Sequence, residues 1–305
     1  MDAYHGLFRL DLDTNRAVHL ITANTTITPP VWHSGIVDQS AQLSPKFFND
    51  LDIMEVGSET GDSRLVVHFT DSSYKHHRCQ NRQEILDGAP RGRFFSFDME
   101  SGELTVLLCG LHFPNGVQAL NSEEVLVVES TRFRILKVNL KKLREEKPLL
   151  LASCAEEGSL RKYLDSDHQN KAVSVFLDAV PGFMDNIRID SVTSHTDRKH
   201  YFVGVGTTSS QPFSLLWLSY QLILLRDVIG KILPMKYVEN LIPTCGLVIV
   251  IDEDGHVVES LYDRKGTKMK MISEAQRHPI TGDLLMGSHS NPFLGKLSAS
   301  NFNKK

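Results

Sequence analysis

The hydrophobic pattern is dominated by short runs rich in Val, Ile, Leu, Phe and Tyr, at 65–69, 94–97, 104–108, 125–128, 135–138, 149–152, 201–205, 247–251 and 257–262. Clusters of Gly, Asp, Asn and Ser separate most of them, a combination that favours strands joined by turns. Met99-Glu100-Ser101-Gly102-Glu103 and Asp252-Glu253-Asp254-Gly255-His256 each lie between two apolar runs. An acidic turn carrying Gly predicts a hairpin at both places. Helical periodicity is scarce. The exception is 214–241, apolar at most positions with Pro234 near its centre, which predicts two short helices inserted between strands. The charged stretch 156–171 reads as a solvated loop with one helical turn at 160–164.

The runs fall into groups of four. The first is 48–54, 65–69, 94–97 and 104–108, and the second is 117–120, 125–128, 135–138 and 149–152. The third is 187–190, 201–205, 247–251 and 257–262, with the helical insert between its second and third strands. Three strands of a fourth follow at 271–276, 283–286 and 294–297, while 8–10 and 18–21 supply the outer two of an earlier group. Four-stranded units of about fifty residues are the mark of a β-propeller. The chain thus reads as all-β, a single propeller domain over 1–305 with about four and a half blades, its first blade missing at the N-terminus.

Composition narrows the function. Lys and Arg number 33 against 37 Asp and Glu, a formal net charge of −4 that argues against a nucleic-acid binder. The 41% hydrophobic and 23% charged content marks a globular chain. Cys79, Cys109, Cys154 and Cys245 form no CxxC pair, so no zinc site is expected. One or two disulfides fit a luminal protein, with the pairing open. Met1-Asp2-Ala3-Tyr4-His5-Gly6-Leu7 has neither the basic nor the apolar region of a signal peptide. The best membrane candidate, 215–225, is broken by Ser219, Tyr220 and Gln221 and falls short of the roughly twenty residues a span needs. Asn24-Thr25-Thr26 is a glycosylation sequon that matters only in the secretory pathway.

Several segments go beyond a generic blade pattern. They are Asp2-Ala3-Tyr4-His5-Gly6-Leu7, Phe47-Phe48-Asn49-Asp50-Leu51-Asp52, Phe69-Thr70-Asp71-Ser72-Ser73 and Phe113-Pro114-Asn115-Gly116-Val117. Val128-Glu129-Ser130-Thr131-Arg132-Phe133-Arg134-Ile135, Pro181-Gly182-Phe183-Met184-Asp185-Asn186-Ile187-Arg188 and Gly287-Ser288-His289-Ser290-Asn291-Pro292-Phe293-Leu294 follow in order. This ordered set resembles the strictosidine-synthase-like family over nearly the whole chain. The resemblance implies a six-bladed propeller, a place in the endomembrane system or at the plasma membrane on its luminal or extracellular side, and an anchor or signal ahead of the first blade. It also brings in the related paraoxonase-like propellers, which hydrolyse small esters and lactones around a central calcium.

Asn49, Asn115 and Asp185 each open a predicted innermost strand on a different blade. Two amide oxygens and a carboxylate are hard donors that suit Ca²⁺ better than zinc. By the resemblance, a Glu from the missing first blade would complete the set. The same residues are also the usual choice for capping turns. Glu274 and His112 are the catalytic candidates. The family's catalytic Glu sits in a late inner strand, and keeping His278 in register puts Ser273 opposite it and Glu274 one position later. A one-residue slip reverses the face of a regular strand, so strictosidine synthesis itself is not expected. His112 stands just before the Asn115 segment, where a general base for ester hydrolysis belongs; His68, His278 and His289 are further histidines of this kind. No Gly-x-Ser-x-Gly elbow supports a serine mechanism. The two readings are a calcium-dependent hydrolase of small esters or lactones, and a membrane-associated binding propeller without chemistry whose apolar 214–241 insert meets the membrane surface.

Overall fold

A computed structural model describes residues 1–22, 25, 27, 44–57, 63–145, 159–166, 171–180, 182–192, 198–208 and 244–302. The glycosylation candidate Asn24, the insert at 214–241 and the strand expected at 149–152 lie outside the described residues. By its internal contacts the chain divides into two compact units, Met1–Glu129 with Leu136–Val175, and Ser130–Ile135 with Phe176–Lys305.

The first unit is built on antiparallel sheets. β1 (Leu7–Asp11) and β2 (Arg16–Ile21) form a two-stranded ribbon. β3 (Phe48–Gly57), β4 (Ser63–Asp71), β5 (Gly92–Asp98) and β6 (Leu104–Leu111) follow in sequential order in a four-stranded sheet. Helix α1 (Asn81–Asp87) joins β4 to β5. β7 (Pro114–Ala119), β8 (Glu124–Glu129) and β9 (Arg134–Asn139) begin the next sheet, and helix α2 (Leu140–Glu145) continues from β9.

Among the described residues the strand paired with β9 on its outer side is β10 (Val173–Leu177). The helical turn expected at 160–164 is present as α3 (Ser159–Asp165).

The β3–β6 sheet is covered on both faces, which is why its strands read as nearly continuous apolar runs. Phe95 and Phe97 join Val67, Phe69 and Leu104 in a core shared with Leu7 and Ile21. Phe94 points the other way, into a core with Val117, Val125, Leu136 and Leu143. The β5–β6 hairpin turns where the acidic-Gly segment predicts. Asp98 Oδ1 accepts from the backbone of Glu100 at 2.9 Å and Ser101 at 3.0 Å, and Gly102 takes φ 73°.

The second unit holds β11 (Gly182–Ile189), β12 (His200–Thr208), β13 (Gly246–Asp252) and β14 (Val257–Asp263) in one sheet. β15 (Ile272–Arg277), β16 (Leu284–Ser288) and β17 (Gly295–Leu297) form another, followed by a short helix α4 (Ala299–Phe302). Phe202, Val248 and Val250 pack against Ile272, Ala275 and Leu284 between the two sheets. The groups of strands read from the sequence are therefore the observed sheets, apart from β10.

Candidate functional site

The first strand of every three- or four-stranded sheet among the described residues carries a β-bulge, and Asn49, Asn115 and Asp185 sit in three of these bulges. In β3, Phe48 pairs with Asp71 and Leu51 with Phe69, so Asn49 and Asp50 together face Thr70. In β7, Pro114 pairs with Glu129 and Val117 with Val127, leaving Asn115 and Gly116 against Val128. In β11, Asp185 and Asn186 share Gly204. In β15, Ile272 pairs with Ser288 and Glu274 with Gly287, so Ser273 is the extra residue. A bulge breaks the alternation of side chains and re-aims the residues within it.

In the first unit, two hydroxyls of β4 and its continuation bind the β3 and β7 bulges together. Thr70 Oγ1 accepts from the Asp50 amide at 3.2 Å and donates to the Asn115 carbonyl at 2.6 Å. Ser72 Oγ accepts from Asn49 Nδ2 at 2.7 Å and donates to the Pro114 carbonyl at 2.8 Å. Asp50 Oδ2 takes the Val117 amide at 2.8 Å. The structure thus brings Asn49 and Asn115 side by side and fixes both backbones. Gly92 is required beside them, because a Cβ there would lie 1.9 Å from Pro114 Cδ.

Beneath these hydroxyls lies Asp71, fully buried. Its Oδ1 accepts from the amides of Phe47 at 2.7 Å and Lys46 at 3.0 Å, and its Oδ2 accepts from Arg93 Nε at 2.8 Å. The Phe69-Thr70-Asp71-Ser72-Ser73 segment is the frame of the site.

In the second unit, Asn186 donates Nδ2 to Glu274 Oε2 at 3.2 Å, while its Oδ1 is buried and accepts no hydrogen bond among the described residues. Arg188 Nε donates to Glu274 Oε1 at 2.8 Å. Because Ser273 is the bulged residue, Glu274 occupies the pairing position that a regular strand would give to Ser273. The same bulge runs close to β12, where a Cβ on Gly204 would meet the Ser273 carbonyl group at 2.6 Å. Asp185, half-buried, neighbours Asn186 in its bulge.

The histidines separate clearly. His112 is buried; its amide donates to Glu129 Oε1 at 2.8 Å and its Nδ1 donates to the Gly88 carbonyl at 2.9 Å. That bond sets the tautomer and puts the ring lone pair on Nε2. Burial, and then the charge of Arg144, press His68 down to about 4, against a weaker opposing effect of the Phe95 backbone. His278 Nδ1 accepts from the Thr281 amide at 3.2 Å, and His289 is exposed.

Two clusters arise that the sequence spacing does not reveal. His76, Glu84 and Asp87 place ligand atoms within 4.8 Å of one another, as do Asp252, Asp254 and His256. Arg91 already sits in the first, 2.6 Å from Asp87 Oδ2 and 3.2 Å from Glu84 Oε2. Burial raises the Glu84 carboxyl above its ordinary range, against the pull of Ser73 and Arg91. The second cluster is the β13–β14 turn, where Asp252 Oδ1 accepts from the amides of Asp254 and His256.

Asn186, Thr70 and Ser72 are the site residues the sequence reading missed. The signal for the hydroxyls is two small polar side chains two residues apart at the end of an apolar run. No local signal marks Asn186, since its orientation comes from Glu274 across two sheets of the second unit.

The family model described as strictosidine synthase matches residues 50–142, the segment holding the paired bulges of the first unit. Together with the sheets, this makes the chain similar to the strictosidine-synthase-like β-propellers. Adipocyte plasma membrane-associated protein of Salmo salar is 30% identical over 301 residues, covering 98% of this chain and 60% of the relative. Protein STRICTOSIDINE SYNTHASE-LIKE 10 of Arabidopsis thaliana is 33% identical over 261 residues, covering 82% of this chain and 56% of the relative. The chain therefore spans a little over half the length of these relatives. Among solved structures, a chain of the nidogen/laminin complex matches with a TM-score of 0.50 at 11% identity, covering 99% of this chain and 74% of that one. At that identity the match speaks for the fold alone. Among the described residues no helix is long and apolar enough to cross a membrane.

Proposed function

We propose that this chain belongs to a calcium-dependent hydrolase of small esters or lactones, with Asn49, Asn115 and Asp185 as calcium ligands and Asn186 added to them. One observation carries the reading. Asn49 and Asn186 each spend the amide nitrogen on a protein acceptor, Ser72 and Glu274, which leaves the carbonyl oxygen as the atom to offer. An amide oriented this way suits a hard cation. The buried Asn186 Oδ1, with no hydrogen bond among the described residues, is the kind of atom a cation satisfies.

Calcium held there would polarise a substrate carbonyl. The chain's own groups supply the rest. His112 is the base we assign, because it stands just before the Asn115 segment and its ring is oriented by the Nδ1–H bond to the Gly88 carbonyl. Glu274, paired with Arg188 and Asn186, is an orienting acceptor and not the proton donor. A membrane-associated setting agrees with the name of the animal relatives, and the luminal or extracellular side belongs to the same proposal. The disulfide at Cys109 favours the same oxidising compartment. The alternative is a binding propeller without chemistry, favoured by the clamped state of Glu274.

The test pairs calorimetric titration of calcium with turnover of an aryl ester and a lactone. Calcium binding that weakens in Asp185→Asn, and turnover abolished by a chelator, are expected. Turnover indifferent to the chelator would refute the calcium mechanism. Calcium binding without turnover would select the binding propeller.

A further inference from the structure

The first unit contains a cavity of about 270 Å³, away from the bulges. One face of the β3–β6 sheet supplies Val66, His68, Ser96 and Thr105, and helix α2 supplies Leu143 and Arg144 across from them. This face would be expected to carry only apolar side chains where it meets α2, as it does at Met54 and Phe94. A row of polar groups opposite a helix is the departure that calls for a ligand.

The charges in the wall decide which ligand. Arg64 is neutralised by Asp98 at 2.7 Å, and Asp98 is further held by its hairpin turn. Glu103 lies at the exposed turn end of the lining, where its Oε1 accepts from Thr105 Oγ1 at 3.5 Å. Arg144 makes no ion pair among the described residues and its charge is felt at His68, the most deeply buried polar group of the wall. Arg144 therefore supplies a cation to the lining beside the neutral imidazole of His68, while Val66, Leu107 and Leu143 give the cavity an apolar flank.

We propose that this cavity binds a small amphiphilic monocarboxylate, its carboxylate against Arg144 and its hydrocarbon body along Val66, Leu107 and Leu143. The volume suits a ligand on the order of ten heavy atoms. The site is separate from the proposed hydrolytic centre and its occupation requires no metal.

The probes are octanoate, octanol and acetate, titrated calorimetrically into the whole chain in the presence of a chelator. Saturable octanoate binding is expected, with acetate too short to bind. Arg144→Gln should weaken octanoate about tenfold, as the loss of a charge-assisted contact does, and leave octanol unchanged. Leu107→Trp, which fills the cavity, should remove both ligands. Arg144 is exposed, so its variant will fold, and urea unfolding confirms this for both variants. Equal octanoate affinity in wild type and Arg144→Gln would overturn the proposal, as would the absence of saturable octanoate binding.

Discussion

Asn49 donates its Nδ2 to Ser72 Oγ at 2.7 Å, and this bond fixes the orientation of the Asn49 amide. The same hydroxyl donates to the Pro114 carbonyl, so one small side chain couples two inner strands.

Ser72→Ala should cost about 1–3 kcal/mol, because it strands the buried Pro114 carbonyl and frees the Asn49 amide to flip. Calcium affinity should fall with it. Urea unfolding reads the first effect and calorimetry the second. A variant as stable as wild type would show that the bridge is unimportant.

Asp71 and Arg93 are both buried, and Asp71 also receives two backbone amides. Removing one partner leaves an uncompensated buried charge. Arg93→Met should therefore lose about 3–5 kcal/mol. A loss below about 1 kcal/mol in urea unfolding would contradict this assignment.

His68 should make stability depend on pH. Its folded value of about 4 lies below the ordinary 6.5, burial being the main cause. Between those values the unfolded chain holds a proton that the folded chain lacks, so stability rises with pH through this window. The contribution is complete above 6.5 and is lost as pH falls toward 4, on the order of 3 kcal/mol. Urea unfolding at about pH 5 and about pH 7 should show this slope in wild type and a flatter one in His68→Leu. Identical slopes would count against a neutral buried His68.

Glu274→Gln tests the orienting role. Its side chain is 36% exposed, so losing the Arg188 pair should cost only about 0.5–1 kcal/mol. Ester turnover should change by no more than a few-fold. A fall on the order of a hundredfold, with the pH profile losing its acidic limb, would instead make Glu274 a proton-transfer group.

The strand groups were legible because a strand buried on both faces writes itself as a local run of apolar residues. The hairpin at Asp98–Gly102 was legible because turn chemistry is local too. Asn49, Asn115 and Asp185 could be singled out by residue type and position. What they do depends on pairing register, and register is tertiary. The extra residue in each of β3, β7, β11 and β15 leaves no mark in composition, yet it sets where Glu274 sits. Ser72 meets Asn49 and Pro114 across separations of 23 and 42 residues, so its role exists only once the strands are packed. The pairing of Val173–Leu177 with β9 has the same origin. Apolar pattern selects the strands, because burial acts on each residue where it stands; hydrogen bonds between distant strands determine the site, because directional contacts form only after the chain has brought their partners together.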